Sequence, residues 1–233
     1  MLLFIQQESE VAQQLVQEAV SVEKKLSIYE LIVSGGVGGQ VIIGLLFVLL
    51  AAALYIYFER FFAIKAASQI DKDFMNQIKD LVSNGKLEAA KMVCAKTNSP
   101  SARLVEKGIS RIGKPLADIN TAIENAGKLE IYNLEKNVSV LATIAGAAPM
   151  IGFLGTVIGM IVAIHQIANA GGQIDIKMLS DGLYTAMTTT VAGLIVGIIS
   201  YIAYNHLVVK TDKVVYQMEA KSLEFLDLLN EPA

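Results

Sequence analysis

Two long apolar segments constrain this chain more than any other feature. They occupy residues 138–168 and 178–207, and a short loop, residues 169–177, joins them. Each is longer than the roughly 20 residues that a helix needs to cross the hydrocarbon layer of a bilayer. No acidic or basic residue lies near the middle of either segment. The pattern predicts a transmembrane helical hairpin, and any pore through it would be lined by hydroxyl groups rather than by charges.

Small side chains recur at helical spacing in both segments. The first contains Ala142, Ala145, Pro149, Gly152, Thr156, Gly159 and Ala163. The second contains Gly182, Ala186, Thr190, Gly193, Gly197 and Ser200, with Thr185 and Thr189 on a neighbouring face. Small residues allow helix backbones to approach closely in lipid. Two interpretations stay open at this point: close helix packing, or a pore face that carries threonine hydroxyls.

Composition sets the class of protein. Hydrophobic residues make up 54% of the chain, which predicts an integral membrane protein with a modest polar portion. The formal net charge of -3 excludes nucleic-acid binding driven by bulk electrostatics. The single cysteine, Cys94, has no internal disulfide partner and is expected to be a reduced, structural thiol.

The predicted fold class is an all-α integral membrane protein with three transmembrane helices, long cytoplasmic helical extensions and an N-terminal amphipathic helix. Lys and Arg are concentrated between residues 59 and 137, so the positive-inside rule places that stretch in the cytoplasm and the N-terminus outside. The predicted order is an amphipathic helix with a glycine joint (1–37), the first transmembrane helix (38–60), a cytoplasmic helical region (61–137), the second transmembrane helix (138–168), an outer loop (169–177), the third transmembrane helix (178–208) and a cytoplasmic C-terminal helix (209–233).

Turn signals divide the cytoplasmic region. They fall at residues 83–85, 98–100 and 113–115, each between amphipathic runs. We expect the helix that starts near Pro115 to run unbroken into the second membrane segment. The C-terminal run is expected to pack on the cytoplasmic extension through apolar residues at roughly helical spacing, namely Val215, Met218, Leu223, Leu226 and Leu229.

Motifs for covalent chemistry are missing from the sequence. It contains no phosphate-binding loop, zinc motif, paired cysteines or nucleophile elbow, so neither an enzyme nor a bound metal or cofactor is expected. His165 and His206 lie near opposite ends of different membrane helices and cannot share a metal. His165 and Asp181 are candidate titratable groups at the outer mouth; a hydrogen-bonded interfacial histidine and a helix-capping or surface aspartate are the alternatives.

The membrane core offers hydroxyl groups alone for proton transfer. Threonine and serine can hold a chain of waters, but they cannot store a proton at physiological pH. If protons cross the membrane here, a carboxylate must therefore come from another chain.

The paired segments resemble a known family. LATIAGAAPMIGFLGTVIGM followed by GLYTAMTTTVAGLIVGIISYIAYN resembles the signature of the MotA/TolQ/ExbB proton-channel family, most closely its ExbB/TolQ branch. The resemblance implies a proton-conducting subunit of a motor in the bacterial inner membrane, with its N-terminus in the periplasm. It also implies a homopentamer around a dimer of an ExbD/TolR-like single-span protein that carries the proton-accepting aspartate. A TonB-like protein would then energise outer-membrane transport.

The resemblance also assigns roles to residues. Thr156 and Thr190 correspond to the threonines that face the partner's carboxylate, with Thr185 and Thr189 beside them. The close-packed pore face consists of Pro149, Gly152, Gly159, Ala186 and Gly193. This sequence departs from many relatives, which place a glutamate where it has Thr185. Alternatives are a TolQ-like subunit for envelope maintenance, a gliding-motor stator subunit, and a non-conducting membrane scaffold.

Overall fold

The computed structural model describes residues 36–69, 73–169 and 176–230. These residues form α-helices and no strand. The helices are α1 (Gly36–Ala67), α2 (Phe74–Ser83), α3 (Leu87–Thr97), α4 (Pro100–Ile109), α5 (Leu116–Glu135), α6 (Val138–Asn169) and α7 (Ile176–Asn230). The predicted N-terminal amphipathic helix lies outside the described residues.

Three stretches of helix are long and apolar enough to cross a membrane. They lie in Gly38–Ala67, Leu116–Asn169 and Gly182–Asn230. The prediction of an all-α membrane protein is therefore confirmed. α7 has 55 residues. At about 1.5 Å per residue it is ~80 Å long, far more than the ~30 Å hydrocarbon layer, so it extends well beyond the bilayer.

The chain divides into two compact units. Of the described residues, the first contains 36–43, 154–169 and 176–189, and the second contains 44–69, 73–153 and 190–230. Helices α1, α6 and α7 each contribute a segment to both units. The four shorter helices, α2 to α5, belong entirely to the second unit.

One helix boundary differs from the sequence prediction. α5 ends at Glu135 and α6 begins at Val138, so the helix expected to run unbroken from near Pro115 is interrupted. Asn137, at this break, has φ 63°. Asparagine tolerates that left-handed conformation better than most residues. The interruption could not be predicted because neither proline nor glycine marks it.

The glycine-rich stretch before the first membrane helix is also different from the prediction. The sequence indicates a flexible joint at residues 34–39, but α1 begins at Gly36, so the described part of the stretch is helical. A Cβ atom on Gly39 would lie 2.7 Å from Cγ2 of Thr185. The glycine therefore makes room for a neighbouring helix within the first unit.

Local signals explain the ends of the short helices. Ser99 caps α4 by accepting a hydrogen bond from the Ala102 amide at 3.2 Å, and Pro100 occupies the first turn. Asn98, which ends α3, is left-handed with φ 44°. These helices thus begin and end at the turns that the sequence indicates.

α7 presents one buried stripe within the second unit. Its members recur at helical spacing and are Val196, Ser200, Leu207, Thr211, Val214, Met218, Ser222 and Phe225. The predicted contact through Leu223 is wrong, because Leu223 is 60% exposed while Phe225 is 0% exposed. The C-terminal run is rich in leucine on several faces, so its spacing alone did not identify the buried face.

An ion pair joins α4 to α5. Nε and Nη2 of Arg103 donate to the two carboxylate oxygens of Glu130 at 2.7 and 2.6 Å. The hydrogen bond to Glu130 raises the pKa of Arg103 and outweighs the effect of desolvation. The two parallel hydrogen bonds fix the orientation of α4 relative to α5. They add little stability, because the Arg103 side chain is 40% exposed.

Helix α4 packs closely against α7 and α5 at Gly108, and this contact can be tested by substitution. A Cβ atom there would collide with the Phe225 ring and lie 2.9 Å from Cδ1 of Ile123. Gly108→Ala is expected to lower the free energy of unfolding by about 1–3 kcal/mol. Thermal unfolding of the full chain in detergent should show a reduced Tm.

Gly127→Ala is the matched control for that substitution. Its Cβ would meet Cδ2 of Leu104 at 3.7 Å, an ordinary contact, and alanine favours the helix. The Tm of this variant should be unchanged or higher. Equal Tm values for the two variants would contradict the packing described here.

Cys94 should be inert in the folded protein. Its side chain is buried, and burial, followed by the charge of Glu106, raises the pKa of the thiol to about 12. Because the reactive species is the thiolate, maleimide at pH 8 should label Cys94 only after denaturation. Comparable labelling rates in the folded and denatured chain, measured by mass spectrometry, would refute this expectation.

Candidate functional site

Hydroxyl groups bond across the interface between α6 and α7. In the first unit, Thr156 Oγ1 donates to the carbonyl oxygen of Ala186 at 3.0 Å. Thr189 Oγ1 donates to the same oxygen at 2.9 Å. One backbone carbonyl thus accepts two hydroxyl groups, one from each helix.

Glycines bring the same two helices together in the first unit. A Cβ atom on Gly155 would collide with the Thr189 side chain, and one on Gly182 would collide with Ala163. At Gly159 a Cβ would lie 3.3 Å from the backbone nitrogen of Ala186. A larger side chain at Gly155 or Gly182 would force neighbouring atoms to shift, and one at Gly159 would require a shift of a few tenths of an ångström.

The second unit repeats this arrangement. Thr190 Oγ1 donates to the carbonyl oxygen of Gly152 at 3.3 Å. A Cβ atom on Gly193 would lie 2.6 Å from the carbonyl oxygen of Ala148 and 2.9 Å from Cα of Gly152. A Cβ on Gly197 would lie 2.7 Å from Cγ of Pro149. The backbones of α6 and α7 are therefore in direct contact here as well.

The four predicted pore-lining threonines separate into two pairs by burial. Thr156 and Thr190 are half-buried, so part of each side chain remains accessible from outside the chain. Thr189 is 0% exposed and Thr185 is 8% exposed. Thr189 fills the space over Gly155 and Thr185 the space over Gly39, so both occupy helix interfaces inside the first unit.

The predicted packing residues lie at these interfaces too. Gly159 and Ala186 meet in the first unit, and Pro149, Gly152 and Gly193 lie at the contact in the second unit. Gly155 was missed by the sequence analysis. The signal that could have found it is the Gly-x-x-x-Gly spacing of Gly155 and Gly159, which is typical of close helix contacts in membranes.

Of the two candidate titratable groups, the structure describes the side chain of His165, which is not brought into the interface. His165 is exposed, and its Nε2 lies 3.1 Å from Nδ2 of Asn169, one turn further along α6. The backbone of Asp181 belongs to α7, but its side chain lies outside the described part of the chain. Among the described residues, no group of three or more His, Cys, Asp or Glu side chains is arranged to hold a metal ion.

Long apolar helices, joined through glycine contacts and threonine hydroxyls, define this chain as a multi-pass α-helical membrane protein. The chain belongs to the MotA/TolQ/ExbB proton channel family, whose model matches residues 96–220, more than half of the sequence. The matched region includes both Thr156 and Thr190.

Individual relatives indicate which members of this family the chain is similar to. Biopolymer transport protein ExbB of Helicobacter pylori is 41% identical over 80 residues, which are 34% of this chain and 54% of the relative. ExbB of Aquifex aeolicus is 37% identical over 103 residues, 43% of this chain and 69% of the relative. Tol-Pal system protein TolQ of Haemophilus influenzae is 32% identical over 112 residues, 48% of this chain and 49% of the relative. The chain is of the ExbB/TolQ kind, and it spans about half the length of several curated relatives.

The glycine contact in the second unit generates a direct test. Gly193→Ala would force the α6 and α7 backbones apart, because the added Cβ meets main-chain atoms that no rotamer change can move. We expect a loss of about 1–3 kcal/mol in the free energy of unfolding. A lowered Tm in detergent would show it.

Gly146→Ala on α6 is the control for this test, since nothing within 4 Å meets its Cβ. It should leave Tm unchanged or raise it slightly, because alanine favours helix. If Gly193→Ala proves as stable as Gly146→Ala, the close backbone contact is not required.

Proposed function

We propose that this chain is the proton-conducting subunit of an ExbB/TolQ-like motor in a bacterial inner membrane. In this proposal the chain supplies an uncharged, hydroxyl-bearing surface, and a second protein brings the group that takes up and releases protons. Family membership supports the class of activity. The half-buried hydroxyl groups of Thr156 and Thr190 support the site.

One observation carries the proposal: the parts of α6 and α7 that meet through threonine hydroxyls contain no carboxylate. The sequence has no Asp, Glu, Lys or Arg between Lys136 and Asp175, and none between Asp181 and Lys210. Hydroxyl groups relay protons through hydrogen bonds but do not store them. A conducting assembly built on this chain therefore needs a carboxylate from a partner.

The partner is proposed to be an ExbD/TolR-like single-span protein with an aspartate in its membrane helix. A dimer of this partner would lie inside a homopentamer of the present chain, with Thr156 and Thr190 facing the aspartate. Protonation would neutralise the aspartate and lower the cost of moving it past apolar surface. A TonB-like protein would carry the resulting motion to the outer membrane, and no enzymatic step is involved.

Orientation belongs to the same proposal. The excess of Lys and Arg in residues 59–137 supports a cytoplasmic location for α2 to α5. The N-terminus and the 169–177 loop are then periplasmic, and the C-terminal part of α7 is cytoplasmic. The ~80 Å length of α7 agrees with a long extension on one side of the membrane.

A non-conducting scaffold is the second candidate, favoured by one specific observation. The hydroxyls of Thr156 and Thr190 donate to backbone carbonyls of the neighbouring helix, which is what packing alone would need. Such interhelical bonds contribute only about 0.6 kcal/mol on average in membrane proteins. A scaffold would therefore tolerate valine at both positions, whereas a conducting subunit would not.

Valine substitution separates the two candidates. Thr156→Val and Thr190→Val keep the side-chain shape and remove the hydroxyl. In the complex purified from native membranes and reconstituted in vesicles, each variant should lower proton flux by about 10²-fold. Flux is measured with a pH-sensitive dye after a potential is imposed.

Thr188→Val is the matched control for these variants. Thr188 is also half-buried on α7, but its hydroxyl donates at 2.8 Å to the Tyr184 carbonyl of its own helix. Its flux should equal that of the wild type. Unchanged flux in both Thr156→Val and Thr190→Val, with the complex intact by size-exclusion chromatography, would reject conduction in favour of the scaffold.

A further inference from the structure

Ser200 carries a hydroxyl group that the proposed threonine site does not use. The residue is 0% exposed, and its hydroxyl, like those of Ser101 and Thr211, has no hydrogen-bond partner among the residues that the structure describes. Four other hydroxyls on helices of the second unit each donate to the carbonyl four residues earlier, those of Thr97, Thr121, Thr143 and Ser222. The Ser200 hydroxyl points instead into the packed interface. A buried hydroxyl without a partner is unfavourable, so a partner is expected there.

The register of the helices shows what faces Ser200. Along α7, Gly193 contacts Ala148 and Gly152, and Gly197 contacts Pro149 and the carbonyl oxygen of Ala145. The helices are antiparallel, so each step forward on α7 corresponds to a step backward on α6. Ser200, one turn after Gly197 on the same buried stripe, therefore lies beside the stretch 141–145.

A second polar group in that stretch lacks the donor that a regular helix would supply. Residue 149 is a proline inside α6. Because proline has no amide hydrogen, the carbonyl of Ala145 loses the donor that a helix normally supplies. A Cβ on Gly197 would lie 3.1 Å from this carbonyl oxygen, so the oxygen is directed at α7. The interface thus holds a buried donor and acceptor at Ser200 and an acceptor at Ala145.

A groove at the break between α5 and α6 lies close to this place. It has a volume of about 600 Å³ and is lined by the polar Glu135, Lys136, Asn137 and Ser139, by the apolar Val138 and Val140, and by Tyr204 and Val208 of α7. Tyr204 follows Ser200 by one helical turn, so the two side chains are neighbours on the helix surface. The groove therefore ends within one turn of the buried hydroxyl.

We infer that Ser200 and the carbonyl of Ala145 hold a buried water molecule that connects to this groove. Water satisfies both groups, and a buried water typically makes about three hydrogen bonds. This site forms the inner part of the proton path, between Thr190 and the aqueous phase at the α5–α6 break. The site itself follows from the structure, and its role in conduction rests on the proposed function.

Reaction of an introduced thiol with silver ions tests whether water occupies the site. The full-length Ser200→Cys variant, in which cysteine is nearly isosteric with serine, is placed in lipid nanodiscs and exposed to silver ions. After denaturation, the thiols that did not react are counted by mass spectrometry. Val196→Cys is the control, because Val196 lies one turn earlier on the same stripe and is 5% exposed. The wild-type chain gives the background from Cys94.

Ser200→Cys should react at least about tenfold faster than Val196→Cys, because silver ions follow water and local opening of packed helices is slow. Equal, slow reaction of the two variants would overturn the proposal. Loss of the folded particle in either variant is detected by size-exclusion chromatography, and Ser200→Ala then provides the decisive measurement in the flux assay below.

Proton flux through the reconstituted complex tests the role of the site. Ser200→Ala should lower flux several-fold, whereas Ser200→Thr, which keeps the hydroxyl, should restore much of it. Normal flux in Ser200→Ala, together with reduced flux in Thr190→Val, would overturn the proposed inner path. The proposed function would still hold. Normal flux in both Thr156→Val and Thr190→Val would reject the proposed function, and the silver experiment would still decide whether the site contains water.

Discussion

The close approach of two helix backbones is the contact on which the rest of this protein depends. In lipid there is no hydrophobic force to drive helices together, so dispersion and polar contacts must do so. Dispersion falls steeply with distance, and a gap of one methyl group would remove much of it. Gly155, Gly159, Gly193 and Gly197 remove that gap in α6 and α7. The same closeness brings threonine hydroxyls within reach of carbonyl groups on the facing helix.

Hydroxyl groups suit this interface because they are polar without carrying charge. An ionised side chain inside the bilayer is costly and would need a partner in the same chain. A threonine hydroxyl can donate to a backbone carbonyl and can also accept a hydrogen bond. The hydroxyls of Thr156 and Thr190 donate in this way and join α6 to α7. Packing and proton relay are compatible uses of the same residues.

Sequence reasoning predicted the elements better than the contacts between them. Apolar length identified the membrane helices, and Ser99, Pro100 and Asn98 marked helix ends through local chemistry that a sequence displays directly. The break at Asn137 was not predictable, because its cause is a backbone conformation that several residue types can adopt. Burial separated Thr189 from Thr190 although they are adjacent in the chain. Which of two neighbouring faces is covered depends on the partner helix, and hydrophobic spacing does not contain that information.

The continuity of α7 has a mechanical consequence within the second unit. From Thr190 to Asn230 the helix has no interruption, a stiff rod of about 60 Å by helix rise. It joins the contact of Gly193 with α6 directly to Phe225, whose ring lies against Gly108. α6 has no such continuation, because the break at Asn137 separates it from α5. We therefore expect a displacement of α7 at Gly193 to reach Phe225, and a displacement of α6 at Gly152 to stop at Asn137.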